Sequence, residues 1–254
     1  MLDIEMLLRS VTEWNETRRK NPGLDVDLSG VDLTRACLHG ANLSNANLQG
    51  ANLIEANISG ANFYRADLRN ANLRRAILHR ASLIKANLSD ASFYEANLDG
   101  ACLHRADLSR SILTEANLRG AYLIEANLSD TILDGAILHG ADLIEANLQG
   151  AQLTDANLRK ASLHWTNLNK ADFHRANLQY ASLFGATLQK ANLQKANLHG
   201  ADLTEADLTD ANLTDADLGM ANLIGANLTG TDLNNANLEG SSLGNYHHNN
   251  KIIA

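Results

Sequence analysis

From Val26 to Leu243 a large apolar residue recurs at every fifth position without a slip. The series runs Leu28, Leu33, Leu38 and onward to Leu243, and only Ile58, Phe63, Phe93 and Phe173 replace leucine in it. Two positions before each stands a small residue, nearly always Ala and otherwise Val, Ser or Thr. Asn or Asp usually fills the position between, so the unit reads Ala-(Asn/Asp)-Leu-x-x. A period of five does not suit a helix. At 3.6 residues per turn it spreads the apolar positions around the whole circumference and leaves no buried stripe. An extended segment suits it, because residues two apart point to the same side. Ala and Leu then face inward, Asn or Asp faces out, and the last two residues turn a corner. Four such sides close a square coil of about 20 residues, and a fixed short period marks a solenoid whose units contact only their neighbours.

The run of 44 consecutive units resembles the pentapeptide repeat proteins over most of the chain. The resemblance implies an all-β fold, a right-handed quadrilateral parallel β-helix with four units per coil. The right-handed sense agrees with the general preference of parallel β connections. About 11 coils stacked at roughly 4.8 Å, the spacing of paired strands, make a rod about 50 Å long. Each Leu stacks on the Leu one coil away, and burying it contributes about 1.5–3 kcal/mol. The Ala position is then a steric demand, and Asn or Asp reads as a structural group that bonds nearby backbone and its stacked neighbours.

A solenoid leaves open sheet edges at its ends. Ile4, Leu7, Leu8, Val11 and Trp14 fall at helical spacing, so residues 3–20 read as one amphipathic helix covering the first coil, with Trp14 inward. Arg18, Arg19 and Lys20 suit the helix C-terminus, and Asn21, Pro22 and Gly23 stop it. The chain thus divides into a helical cap over 1–25, the solenoid over 26–243 and a tail over 244–254. The tail, with Tyr246, Ile252 and Ile253, folds over the last coil in one arrangement. In the other, that end pairs with a second copy. A monomer is the expectation and an end-to-end dimer the alternative.

The net charge of −8 is banded. Residues 196–250 hold eight acids and no Lys or Arg, residues 65–85 and 159–195 are basic, and 115–155 is mostly acidic. Sequence bands become axial bands on a rod, and ordinary solvated surface accounts for such bands equally well. No stretch approaches the roughly 18 consecutive apolar residues of a membrane span. The N-terminus lacks the basic and apolar regions of a secretory signal, so a cytoplasmic protein is expected.

Catalytic, cofactor or metal chemistry is not expected. His39, His79, His139 and His199 share one face but lie two or three coils apart, about 10–15 Å by strand spacing, too far for joint metal ligation. Cys37 and Cys102 are more than three coils apart, beyond the roughly 7 Å a disulfide allows. His247 and His248 in the tail read as polar surface.

One asymmetry stands out. Of the eight large apolar residues in the position just after the core residue, six share one face: Tyr64, Ile84, Ile124, Ile144, Phe184 and Ile224. His104 and His164 fill intervening rungs, Tyr122 and Trp165 lie close by, and Arg65, Lys85, Arg105, Glu125 and Glu145 flank the stripe. Two explanations are open. This corner half-buries the position, or the stripe is a partner-binding surface. A flat-faced rod offers no enclosed pocket for small-molecule catalysis. The leading expectation is therefore a non-enzymatic scaffold or regulator for an unidentified protein partner. By resemblance the chain is similar to the single-domain pentapeptide repeat proteins of cyanobacteria, some of which resemble regulators of cell differentiation. The alternative, also implied by the family, is a mimic of duplex DNA that binds DNA gyrase or another DNA-binding protein. The acid-only segment supports it, whereas the basic bands and short tail depart from it. Direct nucleic-acid binding is opposed by the net acidity.

Overall fold

The computed structural model describes residues 4–243. In it, each residue between the small and the large core positions forms a single-residue parallel bridge with the residue 20 positions on. The bridges run unbroken from Asp27↔Asn47 to Asp217↔Asn237. The circuit is therefore 20 residues, with four ladders of bridges. One unit shows the bonding: Leu53 N donates to Asn72 O (2.7 Å), Glu55 N to Arg74 O (2.9 Å), and Asn72 N to Ala51 O (2.9 Å). Ala56 N donates back to Leu53 O at 3.1 Å and closes the corner.

The core is one column. Leu128 and its equivalents in mid-rod are fully buried, and Ala126 is 1% exposed. Leu233, Leu238 and Leu243, at the far end, are only partly buried. At Ser111, Thr166 and Thr131, which replace the inward Ala, the hydroxyl donates to a core carbonyl: Ser111 to Leu108 O at 2.6 Å, Thr166 to Leu143 O at 2.8 Å, and Thr131 to Leu128 O, whereas the buried Ser241 hydroxyl at the far end has no partner among the described residues. A buried hydroxyl without such a partner would cost about 1–3 kcal/mol.

The corners carry a conformation that the five-letter pattern only hints at. Every fifth position from Gly30 to Gly240 has φ between 52 and 72°. Glycine fills 14 of these sites and other residues 29, so the fold does not need glycine there. Each side-chain-bearing residue in this region costs roughly 1–2 kcal/mol. The inter-coil bond donated by the same residue, such as Arg35 N to Ile54 O at 2.8 Å, holds it in place.

Along the ladder from Asp107 to Asn167 the outward side chains bond twice. Asn127 Oδ1 accepts from Ser129 N at 3.2 Å, and its Nδ2 donates to Asp107 Oδ1 at 3.0 Å. Asn147 and Asn167 continue the stack at 3.1 and 2.9 Å.

Two helices, not one, precede the coils: α1 (Ile4–Arg9) and α2 (Val11–Lys20). Ser10 breaks the expected continuous helix. It is extended at φ −156°, and its hydroxyl accepts from Glu13 N at 3.2 Å as an N-cap. Leu7 and Trp14 are fully buried, and Ile4 and Val11 pack partly buried against the core. Leu8 corrects the sequence reading. It is 52% exposed, because α1 turns the Ile4–Leu7 side to the core and Leu8 lies about 100° further round the helix.

Arg18 lies in the last turn of α2, as its place at the helix C-terminus predicts, and is buried there. Inside the rod, a residue such as Asn62 accepts from Leu43 N and donates to Ala41 O, while Tyr64 O accepts from Asn45 N. Asn42 and Ser44 have no coil on their outer side, and α2 supplies the equivalent three bonds from side chains. Trp14 Nε1 donates to Asn42 O (2.9 Å), Asn15 Oδ1 accepts from Asn42 N (2.7 Å), and Arg18 Nη2 donates to Ser44 O. Arg18 Nη1 also reaches Leu24 O at 2.6 Å, and burial pushes the pKa of the guanidinium down. The expected tail cap lies outside the described residues.

Candidate interaction surface

The position after each core residue begins a corner, and its side chains stack at 20-residue intervals because the bridges hold strict register. On the corner singled out by the sequence, Tyr64, Ile84, Ile124, Ile144 and Phe184 are half-buried and Ile224 is 64% exposed. His104 and His164 take the intervening rungs, and Thr204 separates Phe184 from Ile224. The upper part is aromatic. Phe184 meets the His164 ring edge-on at 6.1 Å between centroids and the Trp165 ring at 5.1 Å and 89°. His164 Nε2 and Ser182 Oγ are 2.7 Å apart.

Half-burial of this position is not peculiar to the apolar corner. Ile54 and Tyr94 share it on a second corner, Ser129 and Asn169 on a third, and His139 and Gln179 on the fourth. Polar residues occupy the same geometry comfortably, so corner shape alone does not account for the stripe.

The next position along the corner forms a charged ladder. Arg65 stacks its guanidinium 5.3 Å from the Tyr64 ring centroid. Arg105 grips Glu125 with two bonds of 2.8 Å and holds that carboxyl below the usual carboxylate range. His104 Nε2 lies 4.0 Å from the same carboxylate. Tyr122 and Trp165 are 52% and 55% exposed beside the stripe.

Sequence reasoning missed Tyr180 and Met220, which are 50% and 63% exposed on the neighbouring corner. Their signal was available: each is a bulky residue at a corner position whose counterpart 20 residues later is Gly200 or Gly240. Arg159 lies 5.7 Å from the Tyr180 ring, and His199 meets that ring edge-on at 6.0 Å.

Elsewhere the polar groups are occupied with one another. His79 pairs with Asp99 at 3.0 Å, His39 Nδ1 lies 2.7 Å from Ser59 Oγ, and both cysteines are free thiols. Among the described residues no group of three or more His, Cys, Asp or Glu is placed to hold a metal. An open depression of about 500 Å³ is lined by Thr114, Glu115, Asp134, Gly135, Thr154 and Asp155. Asp134 accepts from Thr154 N at 2.9 Å and Asp155 is bound by Arg175 at 2.7 Å, so two of its three carboxylates are committed. Among the described residues no helix is long and apolar enough to cross a membrane.

The family described as pentapeptide repeats, in eight copies, matches overlapping segments from 25–50 through 101–140 to 206–245. Among solved structures the chain is similar to HetL, a pentapeptide repeat protein involved in heterocyst differentiation regulation from the cyanobacterium Nostoc sp. strain PCC 7120. That match has 36% identity and a TM-score of 0.54 over 95% of this chain and 97% of that one. It is also similar to QnrB1, a plasmid-mediated fluoroquinolone resistance protein, at 18% identity and TM-score 0.48 over 84% and 92% of the two chains. A pentapeptide repeat protein of the Arabidopsis thaliana thylakoid lumen matches at 34% identity and TM-score 0.34, over 37% of this chain and 63% of that one. No curated protein matches in sequence.

Proposed function

The chain belongs to the pentapeptide repeat family, and from that premise we propose that it is a non-enzymatic scaffold or regulator that binds a protein partner along the Tyr64–Ile224 stripe. One observation carries the reading. All four corners offer the same half-buried position, yet large apolar residues collect on one of them. Apolar side chains gathered along one side of a surface in this way are characteristic of interaction sites. The likeness to HetL, a protein of differentiation regulation, supports a regulatory role. In the same reading residues 1–25 cap the first coil, 26–243 form the right-handed rod, and the protein works in the cytoplasm.

The test replaces Ile124, Ile144 and Phe184 together with Ser and compares partner capture from the native cell with that of the wild type. Native melting with lost capture supports the reading. Retained capture, or collapse of the fold, refutes it in favour of a structural stripe.

The acid-only segment 196–250 favours a second reading, mimicry of duplex DNA towards gyrase or another DNA-binding protein. A gyrase supercoiling assay decides it, because a micromolar excess of a mimic either inhibits the enzyme or protects it from a toxin. No effect in either sense removes gyrase as the target.

A further inference from the structure

The charged ladder beside the stripe reverses sign halfway along. Arg65, Lys85 and Arg105 occupy three successive coils, and Glu125 and Glu145 occupy the next two. All five share one backbone conformation, with φ between 56 and 59°, so they project from the corner in register. Arg105 and Glu125 are paired within the chain at the reversal point, whereas Lys85 and Glu145 are in no ion pair among the described residues.

We propose that this corner is a self-recognition surface on which a second copy of the chain lies side by side and antiparallel. The proposal rests on the stripe being a binding surface and names one occupant for it. A two-fold axis lying in the contact plane, perpendicular to the rod and midway between the coils of Arg105 and Glu125, inverts the rod direction. It keeps each ladder facing its own counterpart. Lys85 then meets the second copy's Glu145, and Arg105 meets the second copy's Glu125. Arg65 meets the Trp165 ring, a cation–π pairing. The apolar ladder meets itself in the same register, with Ile84 on Ile144, His104 on Ile124 and Tyr64 on His164. Symmetry makes every one of these pairings twice. A parallel arrangement in register would set Lys85 on Lys85 and Glu145 on Glu145, so the charge reversal selects the antiparallel one.

Size sets the strength. The overlap from Ser44 to Phe184 spans seven coil spacings, about 34 Å at roughly 4.8 Å each, and a strip some 12 Å wide hides about 400 Å² per rod. That is about half of the roughly 800 Å² a standard interface buries on each partner, so the expected dimer is transient and micromolar. Because its selectivity is electrostatic and exposed, it weakens with salt.

Sedimentation velocity of the full chain from low to high micromolar concentration tests the proposal, with thermal melting as a check on the fold. The wild type is expected to dimerise reversibly, less so at high salt. Lys85→Glu and Glu145→Lys each place two like-charge contacts in the interface and are expected to weaken the dimer about ten-fold. The combined Lys85→Glu/Glu145→Lys chain re-forms both pairs with signs exchanged and regains most of the affinity. A wild type monomeric throughout the range overturns the proposal. So does a combined variant as weak as the single ones, or a dimer indifferent to both charges and lost on changes to the last coil. Loss of partner capture in the triple Ser variant of a strictly monomeric protein sinks self-recognition and leaves the stripe as a binding surface. A charge-dependent dimer whose triple Ser variant still captures its partner separates the two the other way.

Discussion

Trp165 lies across Gly185, such that a Cβ added to Gly185 would stand 2.3 Å from the indole Cζ3 and 2.4 Å from Cε3. Gly185 has φ +64°, and non-glycine residues hold that conformation on many other rungs of the rod. What requires glycine here is the ring packed over it from the coil before. Tyr180 over Gly200 and Met220 over Gly240 repeat the arrangement, at 2.7 Å from Cδ1 and 2.4 Å from Sδ. A bulky corner residue is thus seated on a bare glycine one coil later.

Gly185→Ala is therefore expected to displace the exposed indole without unfolding the coil, at about 1 kcal/mol of stability. Trp14, fully buried, supplies a constant background to the fluorescence. Trp165 emission should shift to the red and become more accessible to iodide. Unchanged quenching would show that the ring does not rest on Gly185.

The core predicts opposite failures at adjacent positions. Leu128→Ala leaves a cavity in a fully buried column and is expected to cost about 2–5 kcal/mol. Ala126→Leu forces bulk between coils joined by bonds such as Asn127 N to Ala106 O at 2.9 Å, which cannot lengthen without breaking the ladder. A severe loss of thermal stability is expected, and an unchanged melting temperature would contradict the packing.

Arg18→Met removes the donors that reach Leu24 O and Ser44 O. The expected loss is about 1–3 kcal/mol, confined to the helical end. Hydrogen exchange reads it directly. The Asn42 amide, which donates to Asn15, should exchange faster, and the Asn127 amide should be unaffected. Uniform acceleration along the rod would show that α2 and the coils open as one unit.

Acid should weaken the rod through its inter-coil ion pairs. Arg35, Arg75, Arg105, Arg110 and Arg175 hold Glu55, Glu95, Glu125, Asp90 and Asp155, respectively, below the usual carboxylate range. A depressed folded-state pKa contributes stability that is present above the unfolded value and lost as pH falls through the folded one. Melting temperature is therefore expected to hold from neutrality to about pH 5 and to fall below about pH 4. Arg105→Gln should raise the Glu125 pKa in a carboxyl NMR titration. A melting temperature indifferent to acid would show that these exposed pairs contribute nothing.

The helical end shows where sequence reasoning stopped. Helical spacing placed Leu7 and Trp14 inward, where they are, and placed Leu8 there too, where it is not. Ser10 is a good N-cap inside an otherwise helical pattern, and nothing local says whether the chain will use it. Arg18 reads from sequence only as a basic residue suited to the helix C-terminus, and the carbonyls of Leu24 and Ser44 that it bonds come into view only in the fold. The stripe was legible as six names at one register, because a period of five with four sides makes face membership a matter of counting.

The sequence alone determined the circuit. Only an extended chain can turn a period of five into one buried column, so the core, the outward amides and the identity of each face follow from position. Tertiary structure decided what each face meets. Which carbonyl α2 satisfies, which glycine carries an indole and which corner positions are half-buried depend on the coil above or below. Apart from the Leu24 carbonyl, those neighbours lie 20 residues or more away along the chain, and only closure of the coil sets them within hydrogen-bond and van der Waals reach.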